Sequence, residues 1–450
     1  MNCKIGFIGN FYKTAVYEAI ADELENRDCD FFWIIPNPTQ YAYYSEKYGK
    51  KKVLLIDQSV ISDDTEPVAD LKINEIVYGD RIWKYQKTKG IKYLKSIQPL
   101  IYQFIKDNKI KTIFGENTTS EELLTFRICK ICEELKCKYF SLMTTRIPND
   151  RFFFFEDEKQ SVIWKGKPHT ENEEDIVIEV KKPTYFAMNN SIVKKKMSFS
   201  GMVKRLKYFI TNEHIEKSDP DVLTDRMIRF KVKTREVINQ QEYRYVHREN
   251  IKDYKGKKYV FFGFHKQPES SIDVCGRYKE DQFQTILNIW RQLPPSWYLL
   301  IKEHSNAIGD RSLSFFNQFK KYPGIVVLNE TTDSYEIMDS AQLVITNTGT
   351  MGLEAALKGI PAITLSRVSF NCLNYCRYMS WEDFETYKSL EDLVAEIKSL
   401  PQNNDAYENL VKNYAFKGKM GDTFSSPNIL TDKTNIHNLA ESFYAATLYS

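Results

Sequence analysis

Along the first third of the chain, compact apolar runs alternate with stretches in which apolar residues recur every third or fourth position. The runs are KIGFIGN (4–10), FFWIIP (31–36), KVLLID (52–57), KTIFGE (111–116) and KYFSLM (138–143), and helical patterns such as TAVYEAIADELENR and SEELLTFRICKICEELK lie between them. Short β-branched or aromatic runs separated by helical periods predict a parallel sheet with helices on both faces. Residues 1–155 therefore read as one doubly wound, Rossmann-like domain. From 156 to 255 the alternation stops and charge dominates (EDEKQ, KGKPHTENEED, VKKKMSFSGMVKRLK), which predicts a hairpin and one or two long helices as a linker or insertion. The rhythm returns with YVFFGFH (259–265), YLLIKEH (298–304), GIVVLN (324–329), LVITNTG (343–349) and PAITL (361–365), a second Rossmann-like domain over 256–400. Residues 401–450 read as closing helices, SFYAATLY being the last. The expected fold class is α/β, with two doubly wound domains facing a central cleft at the carboxyl ends of their strands, where open sheets bind ligands.

Composition narrows the class. A chain of 450 residues with 42% hydrophobic and 27% charged positions is a folded protein of two to three domains rather than a disordered or fibrous one. The 63 basic residues against 60 acidic ones leave +3, which gives no reason to expect nucleic acid as a partner. Eight scattered cysteines and an opening MNCKIGFIGNFYK without a signal-peptide pattern read as reduced thiols in a cytoplasmic protein. No apolar run approaches the ~20 residues of a membrane span. Residues 191–211 hold six Lys/Arg and no acid, interleaved with apolar positions, a pattern suited either to peripheral contact with the inner membrane or to a solvated helix face.

The segment LVITNTGTMGLEAALKGIPAITL (343–365) runs a strand through Asn347, Thr348, Gly349, Thr350 and Gly352 straight into a helix. Amides at such a helix start, the dipole and the small hydroxyl residues suit a phosphate, and Glu354 one turn in could accept from a ribose diol. An ordinary βα turn would use the same residues for turn and cap chemistry. YLLIKEHSN brings Lys302 and His304 to the same edge, where they could offset charge on a departing phosphate. His265, Gln267, Glu269 and Ser270, after the domain's first strand, could hold a sugar or base, or simply cap the next helix.

In the first domain, FGENTTSEE ends a strand with Glu116, a candidate general base, and Thr119 or Ser120 then caps a helix in the Thr/Ser-x-x-Glu manner. Asn10, Arg146 and Arg151 are candidate contacts for an anionic acceptor. The D-x-D spacings Asp28-Cys29-Asp30 and Asp219-Pro220-Asp221 fall before a strand and in the linker, so no metal is expected there. Cys129, Cys132 and Cys137, like Cys372 and Cys376, are expected to be core thiols rather than zinc ligands. Neither GxxxxGK[ST] nor GxGxxG occurs.

The succession FHKQPESS, DQFQTILNIWRQLP, LLIKEHSN and LVITNTGTMGLEAALKGIPAITL resembles the bacterial capsule polysaccharide biosynthesis family, whose better-known members are Kdo transferases of capsule and lipopolysaccharide assembly. The resemblance spans about 110 residues of the carboxyl-terminal half, and weaker echoes in the first half are Phe114-Gly115-Glu116 and Arg146-Ile147-Pro148 followed by Arg151. It implies a GT-B glycosyltransferase with the donor nucleotide in the second domain, no cofactor, and a nucleotide-sugar substrate, often CMP-Kdo. It further implies that His304 and the Thr348-Gly349-Thr350 turn meet the donor phosphate, that Glu354 lies near the nucleotide, and that a glycan or glycolipid is the acceptor. The chain departs from the family at Ser305, where KEHP is usual, and at Asn347-Thr348, where a serine is common. Rival readings on the same fold are a nucleotide-sugar epimerase or a CDP-glycerol-type transferase. A non-catalytic subunit that binds nucleotide sugar or glycan is the rival from another class.

Overall fold

The structure is a computed structural model that describes residues 3–11, 13–168, 176–181, 198, 200, 201, 203, 204, 207, 217–421, 426 and 428–450. The basic stretch 191–211 lies almost wholly outside these residues. The chain forms two compact units: Met1–Ile178 with His214–Asp225 and Glu408–Ser450, and Glu179–Glu213 with Arg226–Tyr407. Each is a Rossmann-like sheet with helices.

In the first unit, strands β1 (Cys3–Ile8), β2 (Cys29–Ile35), β3 (Val53–Leu55), β4 (Thr112–Gly115) and β5 (Lys138–Thr144) pair in parallel in the order β3-β2-β1-β4-β5. Two short antiparallel additions, β6 (Arg151–Phe155) and a two-residue strand Phe416–Lys417, extend the β5 edge. Helices α1 (Thr14–Glu23), α2 (Pro38–Tyr48), α3 (Ile73–Gly79), α4 (Lys87–Asn108) and α5 (Ser120–Ile131) cover the sheet. Strands buried on both faces need apolar residues throughout, and Ile5, Phe7, Ile113 and Phe114 are wholly buried. The last helix, Lys433–Leu448, packs into the first unit's core: the Phe443 ring lies 4.5 Å from the Phe114 ring and 5.4 Å from that of Phe154.

The second unit holds an all-parallel sheet of six strands, β7 (Tyr259–Gly263), β8 (Tyr298–Lys302), β9 (Ile325–Leu328), β10 (Leu343–Thr346), β11 (Ala362–Thr364) and β12 (Cys376–Tyr378), ordered β9-β8-β7-β10-β11-β12. Helix α6 (Arg226–Glu242) precedes the sheet; α7 (Ser270–Asp273), α8 (Gln282–Arg291), α9 (Leu313–Gln318), α10 (Ser334–Asp339) and α11 (Met351–Leu357) connect its strands. Among the described residues no helix is long and apolar enough to cross a membrane, and all eight cysteines are free thiols.

Candidate active site

The order β9-β8-β7-β10-β11-β12 is the doubly wound pattern in which the chain reverses direction of travel between its first and fourth strands. Open sheets of this kind bind their ligands in the crevice outside the carboxyl ends of the strands at the reversal, here β7 and β10. Three loops end there: Phe264-His265 after β7, Glu303-His304 after β8, and Asn347 to Thr350 after β10.

His265 joins two of them. Its Nε2 lies 3.0 Å from Thr346 Oγ1, and the same hydroxyl oxygen accepts the Gly349 N–H at 3.0 Å. A Cβ on Gly349 would stand 2.6 Å from Thr346 Oγ1, so only glycine closes this turn without displacing the hydroxyl. Gln282 clamps the histidine backbone, accepting its N–H at 2.7 Å and donating to its carbonyl at 3.1 Å. Burial, assisted by His304 and Arg311, lowers His265 to about 4, so the ring is uncharged at neutral pH.

Beneath it, Arg311 makes a two-pronged pair with the buried Glu303, 2.8 Å to each oxygen, and donates to the His265 carbonyl at 2.8 Å. Glu303 is thus a structural anchor that sets the β7 and β8 ends against each other. Lys302 is also committed: its ammonium donates to the Thr332 carbonyl at 2.9 Å, and burial lowers it to about 8.

His304 remains exposed. Its Nδ1 accepts the Asn306 N–H at 3.2 Å, so the neutral ring carries its proton on Nε2 and presents a donor. The surrounding protein lowers its pKa, with Lys266, Lys302 and Arg311 reinforcing and Glu269 opposing.

At the start of α11, Asn347 and Thr348 tie down the loop that follows β7. The Asn347 amide donates to the Lys279 carbonyl at 3.0 Å, and the Thr348 hydroxyl donates to the Ser271 carbonyl at 2.6 Å. Gly352 serves packing, since a Cβ there would already touch Thr346 and Thr364 methyls at 3.4 Å. Thr350, the N-cap residue of α11, makes no side-chain cap bond, which leaves the turn's amides as the groups suited to a phosphate. Glu354 accepts the Tyr335 hydroxyl at 3.0 Å, and burial raises its carboxyl. In the neighbouring loop, Gln267 bridges Asp273 (3.0 Å) and Gln282 (2.6 Å), Glu269 accepts the Ser271 hydroxyl at 3.0 Å, and the Ser270 carbonyl accepts the Cys275 N–H at 2.9 Å.

The first unit has its own switch point between β1 and β4. Lys13, buried to 8% exposure, meets Glu116 at 2.6 Å, and the Asn10 amide donates to Thr118 Oγ1 at 2.6 Å. Beneath them the buried Glu122 accepts the N–H groups of Glu116 (3.0 Å), Thr118 (2.6 Å) and Thr119 (3.1 Å), completing a capping box with Thr119. Burial raises the Glu116 carboxyl, Glu122 adds to the rise, and Lys13 and Arg146 oppose it. Arg146 is exposed with φ at 69°, whereas Arg151 is buried within β6 opposite Lys417.

Lys13, Thr346, Gln282 and Arg311 are the residues that sequence reasoning passed over. Lys13 stands three residues after Asn10, so a βα-loop cation near a strand-end carboxylate was there to be read. Nothing local marks Gln282 or Arg311, whose partners lie 17 and 8 residues away. Among the described residues no group of three or more His, Cys, Asp or Glu is arranged to hold a metal ion.

Residues 305–398 match the family described as "Protein of unknown function (DUF354)". A search of curated proteins returns no match. Among solved structures the chain is similar to a Thermosulfurimonas dismutans KpsC, a beta Kdo 2,7 transferase, at 12% identity and a TM-score of 0.34, over 78% of this chain and 89% of that one. It is also similar to a UDP-GlcNAc 2-epimerase from Methanocaldococcus jannaschii (12% identity, TM-score 0.25, 90% and 97% coverage). A third is the UDP-GlcNAc 2-epimerase from Neisseria meningitidis bound to UDP-GlcNAc (10% identity, TM-score 0.30, 99% of each chain). At such identities and scores, function has to be read from the chain's own residues.

Proposed function

We propose that the chain is a glycosyltransferase of surface-polysaccharide assembly that takes its sugar from a nucleotide-sugar donor, a CMP-linked acidic sugar of the Kdo type. The observation that carries this reading is the convergence on one switch point of the exposed, neutral His304, the uncapped start of α11 and the half-buried Glu354. As the bond between the anomeric carbon and the phosphate oxygen breaks, its electron pair stays on that oxygen. Preformed donors, here His304 Nε2–H and the amides of Thr350 and Met351, are suited to stabilise that charge. Glu354 would accept from the ribose diol. Glu116 is the candidate base for the acceptor hydroxyl as the new glycosidic bond forms, and Lys13 keeps its carboxylate available.

The test is a thermal-shift series with CMP, CDP, UDP, GDP and ADP, with and without EDTA, since a ligand of the native state raises the melting temperature. A CMP-selective shift unchanged by EDTA is expected. In assays with CMP-Kdo and a glycan acceptor, His304→Ala is expected to lower turnover by roughly 10²-fold, the usual cost of losing one donor to developing charge. A UDP-selective shift with a modified sugar released in the absence of acceptor would make the chain an epimerase, and no shift with any nucleotide would leave the scaffold reading.

A further inference from the structure

We infer that residues 217–225, the stretch of the first unit that leads directly into α6 of the second, form a proton-locked latch: they stay docked only while a buried cluster of carboxyl groups is protonated, and they let go as the pH rises. The segment docks through ordinary bonds on one side. The Gln58 N–H donates to the Ser218 carbonyl at 2.7 Å, the Gln58 amide to the Asp219 carbonyl at 2.9 Å, and the Asn37 amide to Asp219 Oδ2 at 2.8 Å. Leu223, at 8% exposure, supplies an apolar foot.

On the other side the docking brings acid against acid. Asp221, with Asp219 beside it, is set against Glu121 at the start of α5 and Asp80 after α3. Glu121 is 1% exposed, and neither of its carboxylate oxygens has a hydrogen-bond partner. The groups facing the carboxyl cluster are Asp80 and Arg81 after α3, Tyr93 of α4, Glu121 of α5 and, from the segment itself, Asp219 and Asp221. Of these only Arg81 is a cation, 3.8 Å from Asp221, and the Tyr93 hydroxyl is spent on the Ile56 carbonyl at 2.6 Å.

An ionised carboxylate so buried, with neither a cation nor a donor, is too costly to persist. The carboxyls also are not arranged to share a metal ion. Protons are then what neutralise the cluster. Burial and Asp80 raise Glu121 to about 7, and burial with Glu121 raises Asp221 well above the usual aspartate range. A docked segment therefore holds protons that an undocked one, with ordinary carboxyls, gives up. Docking is strongest toward pH 4.5 and weakens as the pH climbs through 7, up to tenfold per pH unit for each proton released. Undocking would lengthen the covalent tether into α6.

Hydrogen exchange on the full chain, corrected for intrinsic rates and read in peptides covering 217–225, tests this. Protection there is expected to fall about tenfold or more between pH 5.5 and 8, while peptides from β7 hold steady. Glu121→Gln, a neutral isostere, is expected to keep the pH 5.5 protection at pH 8. Asp221→Asn provides the same test should Glu121→Gln fold poorly. An unchanged segment in the wild type, or an equal fall in both variants, overturns the latch. So does full protection at pH 8 restored by millimolar Mg²⁺ or Ca²⁺, which would make a cation the lock. None of these outcomes bears on the nucleotide site in the second unit.

Discussion

At the switch point of the first unit an ammonium and a carboxylate meet at 2.6 Å in a half-buried pair. At the corresponding edge of the second unit stand two histidines, the buried His265 and the exposed His304, both lowered in pKa by the protein around them. The same strand order has been furnished in opposite ways. Under the proposed reading, a site that receives a phosphate gains from the N–H donors around it, and its histidines stay neutral until the ligand arrives. On the same reading, a site that takes a proton from a hydroxyl needs a fixed base, and the lysine beside Glu116 opposes the rise that burial causes in its carboxyl. Among the described residues the second unit's most buried ion pair is Glu303–Arg311, and it lies underneath the loops, where it fixes the strand ends through the His265 and His304 backbones.

That division is most sharply tested through Arg311. With Glu303 at 1% exposure, Arg311→Met leaves a buried carboxyl unpaired, which costs about 3–5 kcal/mol. A drop in melting temperature on the order of ten degrees is expected, and the double variant Glu303→Leu/Arg311→Met should recover most of it. A single variant no worse than a surface change would mean that the pair does not anchor the β7 and β8 ends.

Next in size is the pH response of His265. Its native pKa of about 4 lies below the unfolded value near 6.5, so the folded state disfavours the proton that the unfolded chain binds. Its contribution is therefore complete above pH 6.5 and lost as the pH falls toward 4, by up to roughly 3 kcal/mol at 1.36 kcal/mol per unit. Denaturant melts of the wild type and of His265→Gln across that window should converge toward the acid end. Parallel curves would show that His265 is not held neutral against Thr346.

Much of this contrast was legible in the chain. The five parallel strands of the first unit and five of the six in the second appear as apolar runs, because strands buried on both faces leave no room for polar residues. The capping box at Thr119 and Glu122 could be read from spacing alone. β12 (Cys376–Tyr378) was not, since a three-residue edge strand reading Cys-Arg-Tyr has no apolar run to announce it. Nor could the closing helix be assigned to the first unit, because the pairing of Phe443 with Phe114 joins residues over three hundred positions apart. At the site, the turn after β10 was visible as a cluster of small residues. That Asn347 and Thr348 spend their side chains on the Lys279 and Ser271 carbonyls was not, for those partners lie 68 and 77 positions away.

The smallest expected effect isolates the first unit. Burial raises Glu116 and Lys13 opposes that rise, so Lys13→Met should raise the carboxyl further and demand a higher pH to ionise it. If Glu116 is the base, the acidic limb of the kcat/KM profile should move to higher pH by about one unit, because free-enzyme ionisations shape that profile. The CMP-induced thermal shift belongs to the other unit and should stay as it is. A limb that holds its position while turnover falls would mean that Lys13 does not tune Glu116, and the base would have to be sought elsewhere.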